Sequence, residues 1–154
     1  HQSTGAVMSA DQIELWHKRA RPKPTDEDFN VQLGCHFEEV VEMIDTLDFE
    51  SCDGIEYEVR TTRVALNALA RMLKNGELIA RITDRKEFLD SLADQVVTAV
   101  GAGYCAGMKT ADAVAAVNRS NYSKFDKNGY PIFNENGKIA KGPDYAPPDL
   151  EGMY

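Results

Sequence analysis

The segment TDEDFNVQLGCHFEEVVEMID, residues 25–45, decides the fold, because its apolar residues recur at helical spacing. Thr25 and Asp28 give it a capping-box start, in which two side chains satisfy backbone N–H groups at the first turn of a helix. One side of the predicted helix carries the apolar residues Phe37, Val40, Val41, Ile44 and Leu47. We therefore predict a long amphipathic helix whose apolar side is buried against other helices.

Four other segments show similar periodicity, and they predict helices over residues 9–20, 55–73, 84–107 and 111–118. The SCDG stretch at residues 51–54 interrupts the pattern between two of them. Helices joined by short connections predict an all-α fold, an antiparallel helical bundle. A chain of this size often buries further apolar helix surface as a dimer, and the sequence permits this.

Residues 126–154 differ in character from the helical part. Asn136 and Gly137 are the favoured pair for a tight hairpin turn, and APPDL continues as an extended segment. We predict a short C-terminal β-hairpin and extended arm that pack on a helical domain of residues 9–125. Residues 1–8 are interpreted as a remnant outside this domain, because HQSTGAV has neither an initiator methionine nor an apolar signal core.

Composition indicates an ordered protein in a reducing compartment. Hydrophobic residues make up 43% of the 154 residues and charged residues 27%, which is typical of a globular domain. The net charge of -8 argues against nucleic acid or an anionic membrane as partner. No apolar run is long enough to cross a bilayer. Three scattered cysteines form no C-x-x-C pair, and a zinc site of Cys35, His36 and His17 matches no finger spacing. We predict a cytoplasmic protein.

The helix predicted from Thr25 through Leu47 also carries a stripe of carboxylates. At about 100° per residue, Glu38, Glu42 and Asp45 lie together beside the apolar side, and Glu39 lies further round. No lysine or arginine separates them, so like charges three and four residues apart repel each other. A stripe at the border of a buried side suits carboxylates that reach into a cleft between helices.

A second acidic stripe occurs in the helix predicted from residue 84. Glu87, Asp90 and Asp94 fall within about 60° of one another. Two such stripes facing each other across a bundle would repel unless a cation lay between them. Mg²⁺ prefers these oxygen ligands, and Mn²⁺ is a possible substitute. The alternative is that each stripe is an ordinary solvated helix face. The other side of this helix is predicted to enter the core through Phe88, Leu92, Val96 and Val100.

The order of these motifs resembles that of a known enzyme family. E-E-x-x-E at residues 38–42, followed by E-x-x-D at residues 87–90, looks like the signature of the MazG-like all-α nucleotide pyrophosphatases. This superfamily includes dimeric dUTPases and phosphoribosyl-ATP pyrophosphohydrolase. The later stretches SNYSK (120–124) and KGPDYAPPDL (141–150) resemble its short, single-domain branch from phages and integron cassettes.

The resemblance implies Mg²⁺-dependent cleavage of a nucleoside triphosphate to the monophosphate and pyrophosphate. It also implies a four-helix core completed by oligomerisation, in a homodimer or homotetramer. The second motif also fits a register centred on Asp94, with Ser91 where the pattern has glutamate. Asp94 is therefore a further candidate metal ligand. The carboxylates implied as catalytic and metal-binding are Glu38, Glu39, Glu42, Glu87 and Asp90.

Substrate-binding residues are expected mainly in the segments that resemble the family. Lys124 and Lys141 are the first candidates to hold phosphates, since a triphosphate needs positive donors as well as metal. The alternatives are that these lysines are solvated and that the nearby asparagines cap a helix. The remaining candidates for substrate contacts are Gln32, His36, Asn118, Arg119 and Asn121.

Two rival functions remain. The absence of lysine and arginine from Thr25 to Glu58 also suits an acidic helical binding protein that mimics the charge of DNA and has no catalytic activity. A pyrophosphatase that acts on a phosphoribosyl-type substrate would keep the fold and the metal. Thermal stabilisation by Mg²⁺ together with a nucleotide analogue distinguishes the enzyme from the binding protein.

Overall fold

The computed structural model describes the backbone of residues 5–50, 54 and 56–154, and side chains from residue 10 onward. Over these residues the chain forms five α-helices and no β-strand, which confirms the predicted all-α class. None of the described helices is both long enough and apolar enough to cross a membrane. The helices are α1 (Gly5–Ala20), α2 (Asp26–Ile44), α3 (Glu56–Asn75), α4 (Arg85–Cys105) and α5 (Thr110–Tyr122).

The starts of α2 and α4 are those predicted. The Thr25 hydroxyl accepts a hydrogen bond from the Asp28 N–H at 3.1 Å, and the Asp28 carboxylate accepts one from the Thr25 N–H at 2.8 Å. This is the reciprocal capping box. Asp84 caps α4 by accepting from the Glu87 N–H. The boundaries of α1 and α5 extend beyond the predicted ones, and the predicted break at residues 51–53 lies outside the described residues.

The chain divides into two compact units, residues 24–83 and residues 1–23 with 84–154. In the first unit α2 and α3 pack antiparallel, since Asn30 near the start of α2 contacts Leu73 near the end of α3. Val41 of α2 is buried in this interface, as predicted. Leu47 is exposed, because it follows the end of α2 and no longer shares its buried side.

In the second unit α1 packs on α5 through aromatic side chains. Trp16 of α1 stacks on Phe125, which follows α5, with ring centroids 5.5 Å apart. The indole N–H of Trp16 donates to the Asn121 carbonyl at 2.9 Å, and Tyr122 contacts the edge of Phe125. Because a large ring system is held by both stacking and a hydrogen bond, Trp16 anchors α1 to α5.

The apolar side of α4 is largely exposed in the single chain. Among the described helices of its unit, α5 is the one that packs against α4. Leu89 and Val96 are 67% and 64% exposed. The prediction that Val96 and Val100 lie in the core is therefore wrong for one chain, because the described part of their unit leaves both side chains exposed. Phe88 and Leu92 of the same predicted side are half-buried.

The predicted C-terminal β-hairpin is not supported: the described segment contains only one isolated antiparallel bridge, between Phe133 and Ile139. The turn forms at the predicted Asn-Gly pair, whose glycine has a φ of +73°. The Asn134 side-chain oxygen accepts from the backbone N–H groups of Asn136 and Lys138. These local hydrogen bonds from the Asn134 side chain hold the turn.

Candidate metal and phosphate site

Three glutamates lie within about one turn and a half of α2. Glu38, Glu39 and Glu42 span about 6 Å along the helix axis at 1.5 Å per residue. Glu38 is half-buried and contacts α3, whereas Glu39 and Glu42 are exposed. Carboxylate oxygens are hard ligands of the kind that Mg²⁺ prefers, so the chemistry of this donor set fits a divalent cation.

The environment raises the pKa of Glu39. Partial desolvation of its carboxyl group is the largest cause, and repulsion from Glu42 and Glu38 adds to it, while His36 acts in the opposite direction. Neighbouring carboxylates that disfavour each other's charged forms are stabilised by a nearby cation. The cluster thus carries the excess of negative charge that a cation site requires.

Lys74 of α3 supplies a positive charge to this cluster, although it belongs to none of the sequence motifs. Its ammonium lies 2.5 Å from the Glu38 carboxylate, and this hydrogen bond is the main cause of the raised pKa of Lys74. The lysine side chain passes Gly34, where an added Cβ would lie 2.6 Å from Lys74 Cγ. Gly34 one turn before Glu38 is a signal of close helix approach. The sequence does not indicate which residue of α3 lies beside Gly34. The packing of α2 against α3 shows that it is Lys74.

Asp45, the outer member of the first stripe, is paired with Arg63 of α3. The Arg63 guanidinium donates from Nη2 at 2.9 Å and also from Nε, and this bonding lowers the pKa of Asp45. A cleft of about 390 Å³ opens beside the pair, between the end of α2 and the start of α3. Arg60 and Phe49 are among its lining residues. The cleft begins at Ile44, about half a helical turn beyond Glu42.

The second acidic stripe lies on the first three turns of α4. Glu87, Asp90 and Asp94 are all exposed, and the Asp84 cap holds Glu87 in the first turn. Asp90 and Asp94, on which the two possible registers of the motif are centred, lie on the same side of α4. Either register therefore presents its carboxylates on this side. The stripes of α2 and α4 belong to different units. Across the described part of the chain, no three His, Cys, Asp or Glu side chains converge as the ligands of a metal ion do.

The two lysine-bearing segments that resemble the family meet at the end of α5. The Gly142 N–H donates to the Lys124 carbonyl at 2.9 Å. An added Cβ on Gly142 would lie 2.6 Å from that oxygen, so glycine permits the close approach. The Ser120 hydroxyl donates to the Ala146 carbonyl at 2.7 Å. The fold therefore brings the segments that carry Lys124 and Lys141 together.

The two candidate asparagines join α1 to α5. Asn118 is buried, and its amide N–H donates to the side-chain oxygen of Gln12 at 3.0 Å. The backbone carbonyl of Asn121 accepts the Trp16 indole N–H. Neither asparagine is the C-terminal cap of α5, which is Ser123. The Asn118 side chain thus has a structural contact within the described fold.

The other predicted substrate contacts lie at or near the surface. The Lys141 ammonium lies 4.9 Å from the ring centroid of Tyr145, which is a cation–π contact. Arg119 on α5 and Gln32 on α2 are exposed. His36 on α2 is half-buried and lies close enough to Glu39 to affect its pKa. 

Comparison with protein-family models, with curated proteins and with solved structures finds no match for this chain. The resemblance to the MazG-like enzymes therefore rests on the motifs at residues 38–42, 87–90, 120–124 and 141–150.

Proposed function

We propose that the protein is a Mg²⁺-dependent nucleotide pyrophosphohydrolase, which cleaves (deoxy)nucleoside triphosphates to monophosphates and pyrophosphate in nucleotide-pool control or house-cleaning. The observation that carries the proposal is the cluster of Glu38, Glu39 and Glu42, in which desolvation and the two neighbours raise the pKa of Glu39. Like charges this close together on α2 destabilise the helix. A divalent cation bound by the three carboxylates would remove this repulsion. The order of the MazG-like motifs supports the same function.

Each acidic residue has a proposed role. Mg²⁺ bound by these groups, with Mn²⁺ as a substitute, would neutralise phosphate charge and lower the pKa of a bound water. Glu39, which is exposed beside Glu38 and Glu42, is a candidate either to hold the metal or to accept the proton of the attacking water. The proposed ligands, those of α4 resting on the resemblance, are Glu38, Glu39, Glu42, Glu87, Asp90 and Asp94.

The cleft at the end of α2 supports a nucleotide substrate. Its volume of about 390 Å³ is in the range of small-molecule sites, and it begins at Ile44, about half a turn beyond Glu42. Arg60 offers a guanidinium to phosphate oxygens. Phe49, 47% exposed, offers a ring face to a base. The phosphate contacts proposed from the resemblance are Lys124 and Lys141.

We further propose that α4 packs against a second copy of the chain in a homodimer or homotetramer. Leu89, Val96 and Val97 are each more than 60% exposed, and helical spacing puts them on one half of the helix surface. Apolar surface in contact with water costs about 25 cal/mol per Å². A symmetric partner that presents the same side removes this cost from both copies at once.

A panel of the common nucleoside and deoxynucleoside triphosphates tests the activity. Each is incubated with Mg²⁺ and analysed by HPLC, and we expect monophosphate and pyrophosphate from at least one of them. Glu42→Gln should lower turnover by about a hundredfold or more, because it removes a ligand charge at the reacting phosphates. Asp90→Asn should do the same. Glu27→Gln is the matched control on α2 outside the motif, and it should keep full turnover.

The other outcomes separate the rival functions. Full turnover in Glu42→Gln and Asp90→Asn would exclude the metal assignment. Pyrophosphate release from a phosphoribosyl compound, but from no nucleoside triphosphate, would keep the chemistry and change the substrate. No product from any compound, together with no thermal stabilisation by Mg²⁺ and a non-hydrolysable nucleotide analogue, would favour the acidic binding protein.

A further inference from the structure

The Lys74 ammonium lies where a counter-cation of the α2 glutamates is expected. It is 2.5 Å from Glu38 Oε2, and Glu42 adds a further electrostatic attraction. The side chains of Lys74 and Glu38 are 30% and 42% exposed, so the pair is partly shielded from water. In the absence of metal, one carboxylate of the cluster is therefore already neutralised by the chain itself.

The path of the Lys74 side chain depends on how α2 packs against α3. Gly34 lies one turn before Glu38, and an added Cβ there would come within 2.6 Å of Lys74 Cγ and 2.8 Å of the Ala70 carbonyl oxygen. The aliphatic part of Lys74 thus passes through a gap that glycine leaves open. This restricts its rotamers, so less side-chain entropy is lost when the ion pair forms than at an ordinary surface pair.

We propose that Lys74 competes with the divalent cation for Glu38, so that the cation binds the α2 glutamates fully only when it displaces the Lys74 ammonium. This inference rests on the proposed function, because it concerns the same site. An ammonium and a dehydrated cation on one carboxylate would place like charges within about 4 Å of each other, where they repel strongly. Lys74 thereby raises the cation concentration at which the site fills.

Binding of Mn²⁺ to the full chain without nucleotide tests the competition, with free Mn²⁺ followed by electron paramagnetic resonance. Lys74→Met should lower the dissociation constant about fivefold, because a partly exposed ion pair no longer has to be broken. Arg71→Met is the matched control, since it removes the same charge from an exposed position on α3. It should change the dissociation constant by less than about twofold, because a solvated charge is largely screened.

A second measurement uses the unaltered chain and does not depend on the folding of a variant. Lysine acetylation is quantified by mass spectrometry with and without Mg²⁺, and Lys127, which is exposed, serves as the internal reference. Acetylation of Lys74 relative to Lys127 should rise several-fold on addition of Mg²⁺, because the displaced ammonium leaves Glu38 and loses its protection.

The outcomes distinguish this inference from the proposed function. Equal Mn²⁺ affinity in the unaltered chain, Lys74→Met and Arg71→Met, or unchanged Lys74 acetylation, would overturn the competition and leave the metal site in place. Cation binding by none of the three proteins would overturn the metal site, and the competition with it. Tighter binding by Lys74→Met alone, with increased Lys74 acetylation in the unaltered chain, supports the competition.

Discussion

The Asn30 carboxamide donates a hydrogen bond to the Leu78 carbonyl at 2.6 Å and so ties α2 to the loop that follows α3. The same amide donates to the Leu73 carbonyl at 2.8 Å, and its oxygen accepts from the Ala80 N–H at 2.7 Å. Asn30 is 5% exposed. One buried side chain thus satisfies three backbone groups at and beyond the end of α3.

Replacing Asn30 by alanine is expected to destabilise the protein by about 2–4 kcal/mol, because buried backbone groups lose their partners without gaining water. Urea unfolding followed by far-UV circular dichroism measures the change. Gln32→Ala is the control, since Gln32 is exposed on the same helix, and it should change the free energy of unfolding by less than about 0.5 kcal/mol. Equal unfolding midpoints for the two variants would contradict the structural role of Asn30.

Gly142→Ala is expected to detach the C-terminal segment from α5. The new methyl group would lie 2.6 Å from the Lys124 carbonyl oxygen and 2.9 Å from that of Phe125, so one contact must open. The expected cost is about 1–3 kcal/mol. Limited proteolysis should cleave the segment of residues 126–154 faster in the Gly142→Ala variant than in the unaltered chain. Asp144→Ala, an exposed change in the same segment, should leave the cleavage rate unchanged, and similar rates in both variants would exclude the close approach.

The contribution of the Asp45–Arg63 pair should depend on pH. Hydrogen bonding from Arg63 lowers the pKa of Asp45 in the folded chain. The stabilisation is therefore present above the pKa of an unfolded aspartate, about 3.9, and is lost as the pH falls through the lower folded value. Arg63→Met should lower the urea midpoint at pH 7 and should do so less near pH 3.

Arg60→Met is the control for this pair, since it removes the same charge from an exposed position one turn earlier on α3. Its effect on the urea midpoint should be smaller at pH 7 and should change less between the two pH values. An effect of Arg63→Met that is the same at both pH values would show that the protein does not gain stability from ionised Asp45.

Val96→Asp is expected to separate the proposed oligomer into single chains. It places a charge in the middle of the exposed apolar side of α4, where a partner would have to bury it. Light scattering after size-exclusion chromatography should give at least twice the chain mass of 17.1 kDa for the unaltered protein and about the single-chain mass for the variant. Thr98→Asp adds the same charge on the opposite side of α4 and should keep the oligomer. A single-chain mass for the unaltered protein would disprove the interface.

Local interactions made several features predictable from the sequence. The caps at Thr25 and Asp84 involve residues three positions apart, so composition and spacing are enough to identify them. Helical periodicity likewise placed Glu38 at the border of the buried side of α2, where it meets α3. The same periodicity was misleading for Val96, because it shows which side of a helix is apolar and not what covers that side.

The sequence by itself therefore determined the five described helices, the starts of α2 and α4 and the two acidic stripes, since each depends on contacts within a few residues. Only the tertiary structure decided which positive charges face the first stripe. Lys74 is 36 positions from Glu38, and Arg63 is 18 positions from Asp45. These pairs depend on the register of α2 against α3, to which the close approach at Gly34 and the hydrogen bonds of Asn30 contribute. Such long-range packing leaves no periodic signal in the chain, so the counter-charge of Glu38 became evident only in the folded structure.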